Sequence, residues 1–329
     1  MILILSSHDD LHVQEVVKFL PTNSYLIFDL SHVPQKQHIS IQYQPIFKAL
    51  LLDEHGNHLT ELTEYKSFWW RRPQLYDLHD QIKSSEYTNW SYQEIEETVF
   101  GLWQSLDGKW INNPNYDDYA SRKVYQLKIA NEIGFTIPGT IITNSKHALD
   151  KYRDEQMSEN IIFKPFHGNE QHWRETRILK TEDEQQIENL KFTPVIFQDY
   201  IKAKVDLRIT VVDSKVFPAE IHSQTSKYKV DFRMDMKNVK VKEHLLPKEI
   251  ESKILELMKC LNLVYGAIDM RLTAEGEYVF LEINPAGQWL FVEYETKQPI
   301  SKAIAEYLLQ GYDSEKANSA PPKWNTQEG

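Results

Sequence analysis

The segment from Tyr265 to Pro285 constrains this chain most. Two apolar runs, 267–272 and 278–283, flank Glu275-Gly276, the composition of a two-residue hairpin turn. Closing that turn sets Asp269 directly opposite Glu282. Side chains alternate between the faces of a strand, so Asn284 shares the face of Glu282. Two carboxylates and one amide oxygen then converge on one patch. Like charges facing each other across a strand pair destabilise a sheet unless a cation neutralises them. Donors that are all oxygen suit magnesium rather than zinc, and magnesium commonly arrives with phosphates. An ordinary exposed polar hairpin face is the plainer alternative, and it stays open at this point.

A magnesium site calls for cations that hold phosphate. Lys164 ends the apolar run Ile161-Ile162-Phe163-Lys164, just before a polar loop with His167, Gly168, Asn169 and His172. A lysine leaving a strand beside loop N–H groups has the form of a phosphate clamp, although one glycine makes no Walker motif. A lysine reaching solvent is the structural alternative. Lys123 falls on a helix expected over 116–133, where solvated lysines are usual. Gln198-Asp199-Tyr200-Ile201 follows an apolar strand, and an exposed strand-end backbone there suits an adenine edge.

The opening pattern is a strand over 2–5, a helix over 11–20 capped from Ser6-Ser7-His8-Asp9, and a strand over 25–29. It indicates a small α/β domain with a partly parallel sheet, and no GxGxxG follows the first strand. A half-buried strand (38–43), a hairpin around Asp53-Glu54-His55-Gly56-Asn57, a short strand at Phe68-Trp69-Trp70 and a helix over 86–106 follow. Trp69, Trp70, Trp90, Trp103 and Trp110 are expected in core and interface packing. Asn112-Asn113-Pro114 marks the first boundary, and Asn144 can cap a helix after a strand over 140–143. Strands over 161–164, 176–180, 195–200, 207–212 and 215–222, a helix over 248–261 and a last helix over 300–309 complete the pattern. The expected division is 1–113, 114–193 and 194–312, with 313–329 a polar, fraying tail.

Composition removes several function classes. Lysine and arginine total 37 against 48 acids, a net charge of −11 that repels nucleic-acid backbones. The single cysteine, Cys260, excludes an internal disulfide framework and a cysteine-rich zinc site, and is expected to be a small buried hydrophobe. His167 and His172 lack a third ligand at metal spacing. With no run of about 20 apolar residues and no basic flank on the opening strand, neither a membrane span nor a secretory signal is read, and a cytoplasmic protein is expected.

In this order the pieces resemble the ATP-grasp superfamily. The counterparts are Lys123, Lys164, Gln198 to Ile201, Asp206-Leu207-Arg208, Asp231-Phe232-Arg233, Asp269 and Glu282-Ile283-Asn284-Pro285. The closer likeness is to the microviridin-type peptide ligases, the graspetide synthetases. It is carried by Trp70-Arg71-Arg72-Pro73, Gly134-Phe135-Thr136-Ile137-Pro138-Gly139-Thr140, Tyr265 to Met270, Asn284-Pro285-Ala286-Gly287-Gln288 and Pro299 to Ala305. The resemblance implies a mixed α/β and α+β ATP-grasp fold, with an N-terminal α/β pre-ATP-grasp domain and two subdomains clasping ATP. It implies that Lys123 and Lys164 hold phosphates, that Gln198, Asp199, Tyr200 and Ile201 meet adenine, and that Asp206 takes the ribose. It assigns Mg2+ to Asp269, Glu282 and Asn284.

The implied activity is phosphorylation of an Asp or Glu side chain in a ribosomal precursor peptide with leader and core. A Thr or Ser hydroxyl then closes an ω-ester, or a Lys amine an ω-amide. Arg208 and Arg233 are the candidates for gripping the acyl phosphate and the substrate carboxylate, since the guanidinium fork binds either anion bidentately. Proton removal is left open among Asp231, Glu220 and the phosphate. Arg71 and Arg72 read as a substrate contact or as arginines bridging acids between domains. A homodimer is implied by resemblance alone. Two competing readings are an ATP-grasp ligase adding glutamate to a protein tail, and a nucleotide-binding scaffold without chemistry.

Overall fold

The computed structural model describes residues 1–155, 160–166, 176–225 and 239–312. The chain opens with β1 (Ile2–Leu5), α1 (Leu11–Val17), β2 (Tyr25–Phe28), β3 (Gln37–Gln42), β4 (Lys48–Asp53), β5 (His58–Glu61), β6 (Ser67–Trp70), α2 (Ser85–Ser105) and β7 (Lys109–Ile111). β1 is buried along its whole length because it pairs in parallel with both β2 and β6. The resulting sheet, β2-β1-β6-β7, is parallel throughout, while β3-β4-β5 form a separate antiparallel meander. Asp10, not the Ser6–Asp9 stretch, caps α1, because its carboxylate accepts from the His12 and Val13 N–H groups. β7 is too short to stand out in the sequence. Trp69, Trp103 and Trp110 are core residues as expected, but Trp90 lies on the solvent side of α2.

The helix expected over 116–133 is two helices, α3 (Pro114–Ser121) and α4 (Lys123–Ile133). Asn113 caps the first with Pro114 in its first turn, and Arg122 adopts an extended conformation that ends one helix and begins the next. Gly134, in the left-handed conformation at φ 89°, closes α4. A central unit follows: β8 (Thr140–Thr143), α5 (Lys146–Glu155), β9 (Ile161–Lys164), β10 (Arg177–Ile178), α6 (Glu184–Ile187) and β11 (Val195–Asp199). Its sheet order is β10-β9-β11-β8. Ser145 rather than Asn144 caps α5, through its hydroxyl and the Ala148 N–H.

The last unit holds β12 (Val205–Val212), β13 (Lys215–Ile221), β14 (Val241–Glu243), α7 (Lys248–Cys260), β15 (Tyr265–Leu272), β16 (Tyr278–Asn284), α8 (Leu290–Thr296) and α9 (Ile300–Leu309). Its antiparallel sheet runs β14-β13-β12-β15-β16. Leu207, Ile209 and Val211 pack against Ile254 and Leu257 of α7 on one face. On the other, Ala219 and Ile221 join Trp289, Ile304 and Leu308, and that cluster continues into Ile2, Ile4, Val13 and Trp69 of the first unit. The first and last units therefore share one core across the boundary read at Pro114. Cys260 is exposed at the end of α7, contrary to expectation, since Ile254, Leu257 and Met258 form the buried stripe of that helix.

Candidate active site

The β15–β16 hairpin brings Asp269 opposite Glu282 by a route different from the expected turn. The loop has three residues: Thr273 N–H donates to Glu277 O, Gly276 N–H donates to Thr273 O, and Gly276 lies at φ 89°. That shifts the register by one. A bulge between Asp269 and Met270 shifts it back, so that Asp269 faces Glu282, Ile268 faces Ile283 and Ala267 faces Asn284. Two one-residue offsets cancel, and the expected pairing results.

Cations from three elements meet these acids. Lys123 opens α4 because the helix breaks at Arg122, and its ammonium pairs directly with the Glu282 carboxylate. Lys164, at the end of β9, brings its Nζ to 3.8 Å from the same carboxylate. On β12, Arg208 faces Asp269 in register, with Nε 3.1 Å from Oδ1 and the guanidinium over the Phe291 ring. Asn284 sits at the exposed end of β16, its Oδ1 accepting the Ala286 N–H at 2.9 Å. Lys123, Lys164, Arg208, Asp269, Glu282 and Asn284 thus share one patch between the central and last sheets. Its two carboxylates and amide oxygen are hard oxygen donors that fit Mg2+, and the adjacent lysines fit the phosphates that accompany it.

The remaining expected residues lie around this patch in other roles. Asp206 is buried, one oxygen accepting Arg271 Nε at 2.9 Å and the other the Ser223 hydroxyl. Arg271 also donates to the Ile201 carbonyl at 2.7 Å and lies over the Tyr200 ring. Asp206 therefore anchors the segment linking the two sheets through Arg271. Gln198 is 1% exposed, and its amide donates to Thr140 Oγ1 inside the central sheet. The Asp199 and Tyr200 N–H groups are taken by Gly139 O and Asn160 O, so the strand end is less open than its sequence suggests. Asp199 also accepts from the Tyr152 hydroxyl, and burial raises its pKa.

Glu220 pairs with Leu207 and so faces the side of the sheet away from Arg208, where it meets His222 at 2.9 Å and His244 at 3.3 Å. That orientation removes it from the candidates for proton removal. Asp231 and Arg233, like His167, Gly168, Asn169 and His172, lie outside the described residues. Arg71 and Arg72 reach across to the last unit, where they donate to backbone carbonyls of Ala286 and Gly287 rather than bridging acids there. Asn112, which reads in sequence only as punctuation, is buried in the same contact. Its role has no local signal, because its partners are backbone atoms more than 150 residues away.

Two sheets closing on a patch of lysines and metal-type carboxylates define an ATP-dependent ligase of the ATP-grasp class. The chain belongs to the RimK-like ATP-grasp family, whose model matches residues 120–308, and an MvdD pre-ATP grasp domain matches residues 1–118. Among solved structures it is similar to macrocyclase MdnC from Microcystis aeruginosa, bound with precursor peptide MdnA. Identity there is 31%, coverage 94% of this chain and 99% of the other, and TM-score 0.83. It is also similar to a Chryseobacterium gregarium RiPP-associated ATP-grasp ligase in complex with ADP and a leader and core peptide. That match has 29% identity, covers 95% and 97% of the two chains and has a TM-score of 0.84. Macrocyclase MdnB from Microcystis aeruginosa matches at 25% identity, 94% and 99% coverage and TM-score 0.78. No curated protein matches the chain. No helix among the described residues is long and apolar enough to cross a membrane.

Proposed function

We propose that this chain is an ATP-dependent macrocyclase of a ribosomally made precursor peptide. The reading is carried by the end-to-end likeness to peptide macrocyclases, including the unit that precedes the ATP-grasp domain. Bound ATP supplies a phosphoryl group that gives a carboxylate, otherwise a poor electrophile, a good leaving group. An Asp or Glu carboxylate oxygen of the peptide bonds to phosphorus as ADP departs. A Thr or Ser hydroxyl, or a Lys amine, then attacks the acyl carbon, and phosphate leaves carrying the proton. An ω-ester or ω-amide remains. In this reading Lys123 and Lys164 exchange the Glu282 carboxylate for phosphate oxygens when nucleotide binds. Asp269, Glu282 and Asn284 hold Mg2+, which screens the phosphate charge. Arg208 steadies the acyl phosphate from beside Asp269, a role that Arg233 would share. A half-open groove of about 450 Å3 between α1 and α8, lined by Leu11, His12, Glu15, Gln288, Phe291 and Tyr294, supports a peptide path beside Arg208, because Phe291 belongs to both.

Mass spectrometry of the partner precursor peptide after incubation with this chain, ATP and Mg2+ tests the reading. The expected result is a loss of about 18 Da, one water, for each bond closed, with ADP and phosphate released. A gain of whole amino-acid masses would replace it with the glutamate-adding ligase, and nucleotide binding without ADP release would leave a scaffold. The chain is read as cytoplasmic and homodimeric; light scattering giving a single-chain mass would remove the dimer.

A further inference from the structure

The loop after β16 is held from another domain. Its three consecutive carbonyls, at Pro285, Ala286 and Gly287, each accept from side chains distant in sequence. Asn112 Nδ2 donates to Pro285 O at 3.0 Å and to Tyr265 O at 2.9 Å, while its Oδ1 accepts the Val264 and Tyr265 N–H groups. Arg71 Nη1 donates to Ala286 O at 2.6 Å and Gly287 O at 3.1 Å, Arg72 Nε to Ala286 O at 2.8 Å, and the Tyr265 hydroxyl to Gly287 O at 2.8 Å. Arg71 is 1% exposed, with Asp10 3.3 Å from its Nε and Trp289 under its guanidinium. Burial works against the Asp10 charge, but the His12 ring and the Arg71 guanidinium outweigh it and hold that carboxyl well below the usual range. Arg72 takes a left-handed backbone at φ 45°, unusual for a residue with a side chain. The loop is also pressed on β15, since a Cβ at Gly287 would come within 2.3 Å of the Ala267 Cβ.

The clamped residue Ala286 is the one whose N–H fixes the Asn284 side chain. We propose that Arg71, with Arg72 and Asn112, is a positioning residue that orients Asn284 toward the metal by holding the 285–287 carbonyls from the N-terminal domain. The proposal rests on the reading of Asn284 as a metal ligand. A buried charged group with a half-buried carboxylate partner and two carbonyl acceptors is a stiff support, and such outer contacts set the angle of a metal ligand. It also couples the seating of the N-terminal domain to metal affinity.

ADP binding, followed by calorimetry at rising MgCl2, tests it on the full chain and on Arg71→Lys, Arg72→Ala and Asn284→Ala. Arg71→Lys keeps a cation beside Asp10 but loses the two-carbonyl fork, and Arg72→Ala empties only an exposed position, so both are expected to fold. Asn284→Ala and Arg71→Lys are each expected to raise the Mg2+ concentration for half-maximal ADP binding about tenfold. Arg72→Ala should give a smaller shift in the same direction, and metal-free ADP affinity should stay unchanged in the two arginine variants. If Asn284→Ala shifts the Mg2+ dependence and both arginine variants match the parent, the positioning role is overturned and the metal site stands. If Asn284→Ala leaves the dependence unchanged, the metal reading fails and the proposal falls with it.

Discussion

The two sheets that face the candidate site are built to very different depths. β12, at the centre of the last sheet, is buried along all eight residues, with an apolar cluster on either face. Among the described residues the central sheet is thin: β8 and β9 are half-buried throughout, and its cluster has four buried residues, Leu149, Ile187, Leu190 and Phe197. Asp269, Glu282, Asn284 and Arg208 belong to the deep sheet, and Lys164 to the thin one. On the proposed reading, chemistry that depends on ligand angles falls to the stiff wall. The same reading leaves enclosure of the nucleotide to the wall with the smaller core, in keeping with the low local stability of segments that open and close.

Variants in each wall can break this contrast. The largest effect is expected on the stiff side: Glu282→Gln should lower ATP turnover by about three orders of magnitude while leaving the melting curve near that of the parent. Unchanged ADP release would remove Glu282 from the reaction. Leu207→Ala in β12 should lower the global unfolding free energy by about 3–5 kcal/mol. Leu149→Ala should cost about 2–3 kcal/mol and speed hydrogen exchange mainly in β8, β9 and β11. Equal loss of amide protection in both sheets would mean that they unfold as one unit and that the contrast is only one of size. The smallest effect belongs to the thin wall: Lys164→Ala should weaken ATP binding about tenfold, one charge-assisted contact, with little change in stability. Undiminished affinity would place the phosphates elsewhere.

The facing of Asp269 and Glu282 was legible in the sequence because the apolar alternation of both strands specifies which face is buried, and a one-residue slip turns every side chain over. The turn itself was not, because a three-residue loop and a compensating bulge leave the same alternation as a two-residue turn with none. Lys123 shows the opposite case. Its residue type was readable, but its place depended on a helix break at Arg122, where neither glycine nor proline marks the sequence. Cys260 and Trp90 were misjudged for a related reason: residue type gives a preference for burial, and the packing of one helix face decides it.

By itself the sequence determined an α/β opening domain with a partly parallel sheet, most of the strands, the acid pair on the last hairpin and the family resemblance. These depend on periodicity and short-range order, which neighbours in the chain carry. Only the tertiary structure decided that Arg71, Asn112 and Asp10 support a loop more than 170 residues further on, and that Asp206 pairs with Arg271. Those contacts join backbone carbonyls and buried charges across domain boundaries. A carbonyl is the same at every residue, so no pattern of side chains along the chain can announce which one will be held.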